Sequence, residues 1–321
     1  MQPADDRTSG QPGTAFSRLT LGTSWDADRV RGLDRVTALE YVLDLDPSAR
    51  PITVIDTSNE YAKGLSEQII GDSLRRRGGL PGGMTIATKL DRHPETGSFS
   101  ATRMRRSLEE SRERLGLDAI ELLYLHDPEL ITYEEAFADD GPVRALVAMK
   151  EEGSAARIGI SGGPAPMLKH YVETGLFDAV ITHNRYTLVD RSADDLIDAA
   201  VGRGLTVVNA AVYGGGALAR WPRPVTTYAY RLAHPEVVQA IAAMGSVCEQ
   251  AGIPLAAAAL QFSTRDPRIT TTVVGAHTAE HVEGFVRDDQ LEIADSLFEE
   301  LDSLAPSGDV WQDPPGSTWP R

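Results

Sequence analysis

The sequence predicts an α/β fold, a single (β/α)8 TIM barrel with extra helices and an irregular C-terminal tail. Eight short apolar segments alternate with helical patterns, and no change of composition divides the 321 residues. Most of these segments are apolar throughout, which is typical of parallel strands covered on both faces. The predicted strands are Leu19–Ser24, Ile52–Asp56, Met84–Lys89, Ala119–His126, Ala156–Ser161, Ala179–Thr182, Thr206–Asn209 and Thr270–Val274.

Apolar residues at helical spacing follow the predicted strands. Val36, Leu39 and Leu43 recur at i, i+3 and i+7, which places them on one face of the first helix. Ser100 precedes a later helix as an N-cap, and Gly116 closes that helix. Strands and helices therefore alternate in the order that builds a parallel barrel.

The interval before the last strand is too long for one crossover. It holds a long loop over Tyr213–His234 and two helical patterns, Pro235–Gly252 and Pro254–Ser263. We expect residues 16–304 to form the barrel and residues 1–15 to form a flexible leader. Residues 305–321 are expected to form the tail, because they contain four prolines, which interrupt helices and sheets.

Composition limits the classes of function. The formal net charge is −16, from 47 acidic and 31 basic residues, which argues against a broad surface for nucleic acid or anionic membrane. Cys248 is the only cysteine, so an internal disulfide is excluded. The sequence shows neither a signal peptide nor an apolar run of the roughly 20 residues that span a bilayer. These features predict a cytoplasmic monomer or small homo-oligomer that binds a small-molecule substrate, without nucleic-acid or membrane partners.

Four polar residues lie at or just after the ends of three consecutive predicted strands. Asp56, Lys89 and His126 each end an apolar run, and Tyr61 follows Asp56 by five residues. Because strands of a parallel barrel end at one common face, these side chains are expected to converge there. Such a group can transfer protons, since a nearby cation lowers the pKa of a phenol.

Each of these residues alone has a simpler interpretation. Asp56 can bond backbone amides in a strand-to-helix loop, and Tyr61 can pack as a half-buried aromatic. Lys89 can reach solvent, and His126 can be a hydrogen-bonded core histidine. The combination favours a catalytic site, because four residue types suited to one mechanism lie at the same end of the fold.

The segments around these four residues resemble the aldo-keto reductases. The similar segments are Asp-Thr-Ser-x-x-Tyr from Asp56 to Tyr61, Thr-Lys ending at Lys89, and Leu-His-Asp-Pro around His126. In this family the equivalent aspartate, tyrosine, lysine and histidine form the active-site tetrad. The resemblance therefore implies that the four residues are catalytic.

The resemblance covers about residues 16 to 290. It includes Gly-Thr at 22–23 and Ile-Gly-Ile-Ser-Gly at 158–162. Segments 183–190 and 209–219 are similar to the aldose dehydrogenase branch of the family. That branch includes enzymes that oxidise L-fucose and D-threo-aldoses at C1, and relatives that act on L-galactose or pyridoxal.

The resemblance implies a nicotinamide-dependent oxidoreductase. Tyr61 would hold the transferred proton, Lys89 would stabilise the phenolate, Asp56 would hold Lys89, and His126 would orient the substrate oxygen. Hydride would pass between nicotinamide C4 and a carbonyl carbon. The favoured activity is that of an aldose 1-dehydrogenase, whose product is a lactone. A general aldehyde or ketone reductase and a pyridoxal dehydrogenase are the alternatives.

The resemblance also implies the cofactor contacts. A Gly-x-Gly-x-x-Gly fingerprint is absent, but glycines follow the last two strands, where barrels commonly bind phosphate. Ser161 would hold the nicotinamide amide, and His183 lies where the family usually has glutamine. The predicted cofactor contacts are Gly22, Thr23, Ser161, His183, Gly214, Gly215, Gly216, Gly275, His277, Thr278 and His281.

The residues after the eighth strand favour NAD over NADP. His277 and His281 lie where many NADP-binding members carry arginine or lysine. A neutral histidine pairs poorly with a 2′-phosphate compared with a guanidinium group. No metal is expected.

Two aromatic residues are candidates for the substrate pocket. Trp25 can form one wall of a sugar pocket, because an indole face stacks on C–H groups, or it can pack under the tail. The resemblance implies that the aromatic which commonly stacks on nicotinamide after the seventh strand is replaced here by Ala210 or Ala211, and Tyr213 can compensate for it. Trp311 and Trp319 in the tail can close over the substrate or simply hold the tail on the barrel.

Two other classes of function are disfavoured. A metal-dependent hydrolase is disfavoured, because no His-x-His follows the first strand and the seven histidines show no ligand spacing. A Schiff-base lyase that uses Lys89 is disfavoured, because such a lysine would not need Tyr61 and Asp56 nearby. A non-catalytic barrel that binds the cofactor and regulates a partner is disfavoured by the intact set of four residues.

Overall fold

A computed structural model describes residues 16–33, 35–47 and 50–319. The strands are β1 (Leu19–Gly22), β2 (Ile52–Asp56), β3 (Thr85–Leu90), β4 (Ile120–His126), β5 (Ala155–Gly162), β6 (Ala179–His183), β7 (Thr206–Ala210), β8 (Thr227–Tyr228), β9 (Arg231–Leu232) and β10 (Thr271–Gly275). Eight parallel strands close into a barrel in the order β1-β10-β7-β6-β5-β4-β3-β2. The predicted (β/α)8 barrel is therefore confirmed. The hairpin β8–β9 is additional and was not predicted.

Helices cover the outside of the barrel. Their bounds are α1 (Ala27–Val30), α2 (Thr37–Asp44), α3 (Leu65–Arg77), α4 (Ala101–Leu115), α5 (Tyr133–Phe137), α6 (Pro142–Glu151), α7 (Ala165–Glu173), α8 (Asp194–Val201), α9 (Pro235–Gln250), α10 (Leu255–Thr264), α11 (Ala279–Gln290) and α12 (Asp295–Ser303). Within the described ranges, no single helix is long and apolar enough to cross a membrane. Only the pair α9 and α10, bent by 103°, passes by length and composition.

The barrel interior is filled by side chains and forms a floor under its carboxyl end. Tyr124 is the largest of them and is 1% exposed. Gly159 on β5 leaves space for the Tyr124 ring, since a Cβ there would lie 2.4 Å from it. Val54, Leu122 and Ile181 belong to the same interior layer. This packing closes the barrel, so a ligand can enter only above the layer.

The strand register brings the candidate residues to one face. Gly22 on β1 pairs with Asp56 on β2 and with Gly275 on β10. His126 on β4 pairs with Ser161 on β5. These residues lie at or next to the carboxyl ends of their strands. The predicted convergence at this face is therefore present in the structure.

The C-terminal tail packs against the start of α7 and the segment after β6, and it is irregular apart from a 3₁₀ helix, Gly308–Val310. Asp313 is buried and accepts hydrogen bonds from Ala165 N at 2.9 Å and from Arg185 Nε at 2.7 Å. Because Arg185 follows β6, the tail is anchored close to the carboxyl face. The predicted leader, residues 1–15, lies outside the described residues.

Candidate active site

A cavity of about 580 Å³ opens at the carboxyl ends of the barrel strands. Asp56, Tyr61, Lys89 and His126 all line it, so the structure brings the four candidate catalytic residues together. Other predicted contacts that line it are Gly22, Ser161, His183, Tyr213 and Gly275.

Asp56 and Lys89 form a buried ion pair in this cavity. Lys89 Nζ donates to Asp56 Oδ1 at 2.6 Å and to the carbonyl oxygen of Thr57 at 2.7 Å. Burial opposes the charge on the ammonium, but Asp56 and Tyr61 raise the pKa of Lys89 above its ordinary value. A fixed positive charge therefore lies at the end of β3 beside Tyr61.

Tyr61 begins the 3₁₀ turn Tyr61–Gly64 after β2. Ala62 and Lys63 follow it with φ angles of 51° and 58°, in the left-handed region that side chains rarely adopt. The Tyr61 ring centroid lies 4.5 Å from Lys89 Nζ. Strained backbone of this kind persists where the surrounding contacts impose it.

The pKa of Tyr61 differs from the expectation drawn from the sequence. Burial raises the pKa to about 12, and the charge of Lys89 lowers it only in part. The expected net decrease is therefore wrong for this structure, because desolvation of a phenolate outweighs the neighbouring ammonium. Tyr61 is a protonated phenol at neutral pH.

His126 has a partner that the sequence pattern did not reveal. Its Nδ1 lies 2.6 Å from Oδ1 of Asp91, the residue that follows β3. Burial lowers the pKa of His126, but the carboxylates of Asp91 and Asp127 raise it more. The only signal in the sequence is the position of Asp91 two residues after Lys89, and aspartates are common in such loops.

Thr23, a predicted cofactor contact, is fully buried and does not line the cavity. Its backbone N–H and its hydroxyl both donate to the carbonyl oxygen of Asp56, at 3.0 and 2.9 Å. Ser66 Oγ donates to Thr23 Oγ1 at 2.8 Å. The geometry favours a role for Thr23 in fixing the end of β2.

Ser161 and His183 lie on the side of the cavity formed by β5 and β6. Burial and the Arg185 guanidinium lower the pKa of His183 to about 4, so its ring is neutral at neutral pH. Its Nδ1 lies 3.1 Å from Asn184 Nδ2. Asn184 Oδ1 is buried without a hydrogen-bond partner among the described residues. This corner therefore offers both donors and acceptors to an amide.

Gly214, Gly215 and Gly216 lie in a turn after β7 and do not line the cavity. Their φ angles are 57°, 72° and 94°, which glycine adopts without strain. A Cβ on Gly214 would lie 2.2 Å from the Tyr228 ring. Turn geometry and packing account for these glycines, and their contact with a phosphate remains a prediction.

Gly22 and Gly275 line one edge of the cavity, whereas His277, Thr278 and His281 lie beyond it. A Cβ on Gly275 would have no neighbouring atom within 4 Å among the described residues. The Thr278 hydroxyl is the N-cap of α11 and accepts a hydrogen bond from His281 N at 3.3 Å. Contact of these outer residues with a cofactor remains a prediction.

An arginine that was not predicted lies near this outer group. Burial is the main cause that lowers the pKa of His277, and the positive charge of Arg29 on α1 is the second. Arg29 therefore adds a guanidinium to a region where the sequence suggested only histidines.

The two predicted substrate residues differ in position. Trp25 is 4% exposed, and its Nε1 donates to the carbonyl oxygen of Ala276 at 2.8 Å. Since Trp25 does not line the cavity, the structure favours its packing interpretation over a sugar wall. Tyr213 does line the cavity. Tyr230, from the hairpin β8–β9, also lines the cavity, and Tyr230 is 76% exposed. Tyr230 was not predicted, because its loop carries no strong pattern.

Asp127, Glu129 and His183 form a cluster in which one ligand atom from each lies within 4.8 Å of the others. Carboxylates cluster in this way without an ion, and Glu129 Oε1 already accepts a hydrogen bond from Gly163 N at 3.2 Å. Asp127 Oδ1 and Glu129 Oε2 are buried without hydrogen-bond partners among the described residues, and the expectation of no metal remains a prediction.

Comparison with known proteins places this geometry in a family. The Aldo/keto reductase family model matches residues 18–306. An L-galactose dehydrogenase from Arabidopsis thaliana is 30% identical over 235 residues, which cover 72% of either chain. A D-threo-aldose 1-dehydrogenase from Pseudomonas sp is 29% identical over 274 residues, which cover 78% of this chain and 83% of that protein.

A solved structure has the same fold. The holo form of aldo-keto reductase AKR11C1 from Bacillus halodurans superposes with a TM-score of 0.70 at 23% identity, and the match covers 90% of this chain and 92% of that one. The family match spans most of the barrel and includes all four residues of the predicted tetrad. The chain therefore belongs to the aldo/keto reductase family and is an NAD(P)-dependent oxidoreductase.

Proposed function

We propose that the protein is an aldose 1-dehydrogenase, which removes hydride from C1 of a cyclic sugar and forms a lactone. The supporting observation is the cavity that Asp56, Tyr61, Lys89 and His126 share at the carboxyl end of the barrel. Relatives named as L-galactose dehydrogenase and D-threo-aldose 1-dehydrogenase point to a sugar as the substrate.

The residues around the cavity fit a nicotinamide, which supplies the hydride acceptor when bound. Asn184 Oδ1, buried without a partner among the described residues, fits the amide N–H₂, and the neutral ring of His183 and the Ser161 hydroxyl line the same cavity. Gly275 leaves open space at the opposite edge. The proposed cofactor contacts therefore lie at opposite edges of the cavity.

Tyr61 is the proposed proton-transfer group. Oxidation requires the phenolate form of Tyr61, whose oxygen accepts the proton of the C1 hydroxyl, and in reduction the protonated phenol donates that proton to the substrate oxygen. Lys89, held by Asp56 at 2.6 Å, favours the charged state of Tyr61 during transfer. His126, whose ring packs edge-on to Tyr61 with the centroids 5.7 Å apart, binds the same reacting oxygen.

The proposed cofactor is NAD. His277 and His281 are weaker partners for a 2′-phosphate than guanidinium groups. Arg29, however, lies near His277 and is the residue to vary first. Arg29→Ala is expected to leave the KM for NAD unchanged, and a large increase in the KM for NADP would point to NADP as the cofactor.

Absorbance at 340 nm tests the activity. NAD and NADP are offered separately with L-fucose, D-arabinose, L-galactose and pyridoxal. We expect reduction of NAD with an aldose and a loss of about 10³-fold in kcat in Tyr61→Phe, because a positioned acid or base contributes about 10²–10⁴-fold. Tyr41→Phe, on α2 away from the cavity, is the control. A Tyr61→Phe enzyme as active as this control would contradict the proposal.

A general aldehyde or ketone reductase is the second candidate. The observation that favours it is the pKa of Tyr61, which burial raises to about 12, because reduction requires the protonated phenol. Consumption of NADPH with simple aldehydes, and no reaction with any aldose, would establish this activity instead. Cofactor binding without turnover in either direction would favour a regulatory protein.

A further inference from the structure

Asp91 has a buried carboxylate to which the proposed reaction assigns no role. It is 3% exposed and follows β3 directly. Asp91 Oδ1 lies 2.6 Å from His126 Nδ1. Asp91 Oδ2 accepts hydrogen bonds from the hydroxyl of Ser58 and from Glu60 N, the latter at 2.9 Å. Donors therefore bind both oxygens and fix the orientation of the carboxylate.

The backbone of Asp91 is held by α4. Arg103 Nε donates to the Asp91 carbonyl oxygen at 2.9 Å, and Asp91 N donates to Ser107 Oγ at 3.0 Å. Arg103 thus bonds the backbone of Asp91 and not its carboxylate. Among the described residues, His126 is the ionisable side chain that hydrogen-bonds this carboxylate. A buried carboxylate is costly without a compensating charge, and the His126 ring is placed to carry that charge.

The two ring nitrogens of His126 have different surroundings. Nδ1 is bound to Asp91, whereas Nε2 lies 3.7 Å from Asp127 Oδ1, beyond hydrogen-bond distance. The ring lines the cavity and packs edge-on to Tyr61, with the centroids 5.7 Å apart. Nε2 is therefore the nitrogen left to bind a substrate oxygen next to the phenol.

Charged and titratable groups face His126 from several elements. They are Tyr61 after β2, Lys89 and Asp91 at the end of β3, Asp127 and Glu129 after β4, and His183 on β6. Burial lowers the pKa of His126, and Lys89 lowers it further, but Asp91 and Asp127 raise it above the ordinary value. Burial raises the pKa of Asp91, but His126 holds it below its ordinary value. Together these two shifts favour an imidazolium on His126 paired with a carboxylate on Asp91.

We infer that Asp91 is a positioning residue, which holds His126 as an imidazolium with its Nε2–H directed at the substrate oxygen. This inference rests on the proposed function. As hydride reaches the carbonyl carbon in reduction, the π electron pair moves to oxygen, and that oxygen takes the proton of Tyr61. His126 keeps its own proton and stabilises the negative charge as it develops. Oxidation follows the same steps in reverse.

Ring ¹⁵N NMR of the full chain tests the charge directly. Comparison with His126→Gln assigns the His126 signals among the seven histidines. We expect His126 to titrate above the ordinary pKa of about 6.5, and to titrate at least one pH unit lower in Asp91→Asn. A wild-type His126 that titrates below about 6.5 overturns the inference, and this result does not depend on the folding of the Asp91 variant.

Kinetics separate positioning from a structural role. Asp91→Asn is expected to lower kcat for reduction about 10²-fold, with the KM for the cofactor unchanged. The pH profile should also change. Because reduction needs the imidazolium, its rate is lost as pH rises through the pKa of His126. That pKa is lower in the variant, so the loss begins at lower pH.

Asp266→Asn is the matched control. Asp266 is the carboxylate partner of Arg268, its side chain is 10% exposed, and it precedes β10 at the opposite end of the barrel. Asp266→Asn removes the charge of a mostly buried carboxylate that does not line the cavity. If Asp91→Asn and Asp266→Asn have the same kcat and the same pH profile, the inference is overturned.

The two measurements also separate this inference from the proposed function. If no substrate is turned over, the proposed function fails, while a high pKa of His126 that falls in Asp91→Asn still supports the charged pair. If turnover occurs and His126 is neutral, the proposed function stands and the inference is overturned.

Discussion

Burial and paired charge together decide the ionisation of the residues around the cavity. Lys89 and Asp56 have side chains only 2% and 7% exposed, so each charge depends on the other. Tyr61 shows the opposite balance, because burial raises its pKa to about 12 despite the ammonium beside it. Before substrate binds, the site therefore holds the ion pair of Lys89 and Asp56 and a protonated phenol on Tyr61.

Removing Lys89 should expose this dependence. In Lys89→Met, Asp56 stays buried without a cation, and we expect the free energy of unfolding to fall by about 3–5 kcal/mol. The double variant Asp56→Asn/Lys89→Met should recover most of that loss, because neither charge remains. Urea denaturation followed by circular dichroism measures the difference.

A surface ion pair provides the control for this prediction. Arg105 and Glu152 are about half exposed and lie 2.8 Å apart. Arg105→Met should change the free energy of unfolding by less than about 1 kcal/mol. If Lys89→Met and the double variant had the same free energy of unfolding, the unpaired charge of Asp56 would not be the reason for the loss of stability.

The convergence of the four candidate catalytic residues in one cavity could be predicted from the sequence, but the residues that hold them in place could not. Asp56, Lys89 and His126 end apolar runs, and the barrel topology brings such ends together. Asp91 lies at a comparable position, but its role depends on the direction of its side chain, which no pattern reports. Thr23 was assigned to the cofactor by resemblance, whereas its hydrogen bonds to the Asp56 carbonyl oxygen depend on the register of β1 and β2.

Among the elements, the C-terminal tail has the closest connection to the site. Asp313 pairs with Arg185, and Arg185 Nη1 also donates to the carbonyl oxygen of His183 at 3.2 Å. The tail thus holds the residue after β6 that also supports the proposed amide contact. Gln312 N adds a hydrogen bond to Asp190 Oδ2 at 2.7 Å. These contacts link the tail to His183 through Arg185.

Asp313→Asn should therefore weaken both stability and cofactor binding. The guanidinium of Arg185, 11% exposed, loses its carboxylate, and we expect a cost of about 3 kcal/mol in the free energy of unfolding. The KM for the cofactor should rise, because Arg185 no longer holds the carbonyl of His183 firmly. Asp302→Asn is the control, since Asp302 pairs with Arg191 but is 74% exposed. Equal effects of the two substitutions would show that the tail anchor is unimportant.

The elements that the sequence predicted are those whose burial leaves a pattern. The eight barrel strands are apolar because both of their faces are covered. The strands β8 and β9 have two residues each, which is too short for any periodicity, and Leu232 in β9 is 88% exposed. The glycines at 214–216 were assigned to phosphate binding, but their positive φ angles also satisfy a turn. Composition alone does not separate these two reasons.

At the scale of the whole molecule, charge constrains how the proposed cofactor binds. The chain carries a formal charge of −16, and a dinucleotide is itself an anion, so long-range attraction does not favour the complex. Binding must therefore depend on local groups. The N-terminus of α11, capped by Thr278, offers backbone N–H groups. Arg29 and Arg220 add guanidinium groups near His277 and Gly216, respectively.

Thermal unfolding with each cofactor tests this picture on the intact protein. A ligand at 100 times its Kd adds about 2.7 kcal/mol to the stability, which corresponds to a rise of a few degrees in Tm. We expect NADH to raise Tm more than NADPH at equal concentration, because His277 and His281 are weaker partners for a 2′-phosphate than guanidinium groups. Sodium sulfate at matched ionic strength controls for the general effect of anions on folding. A larger rise with NADPH would mean that Arg29 and its neighbours bind the 2′-phosphate, and the NAD preference inferred from His277 and His281 would be wrong.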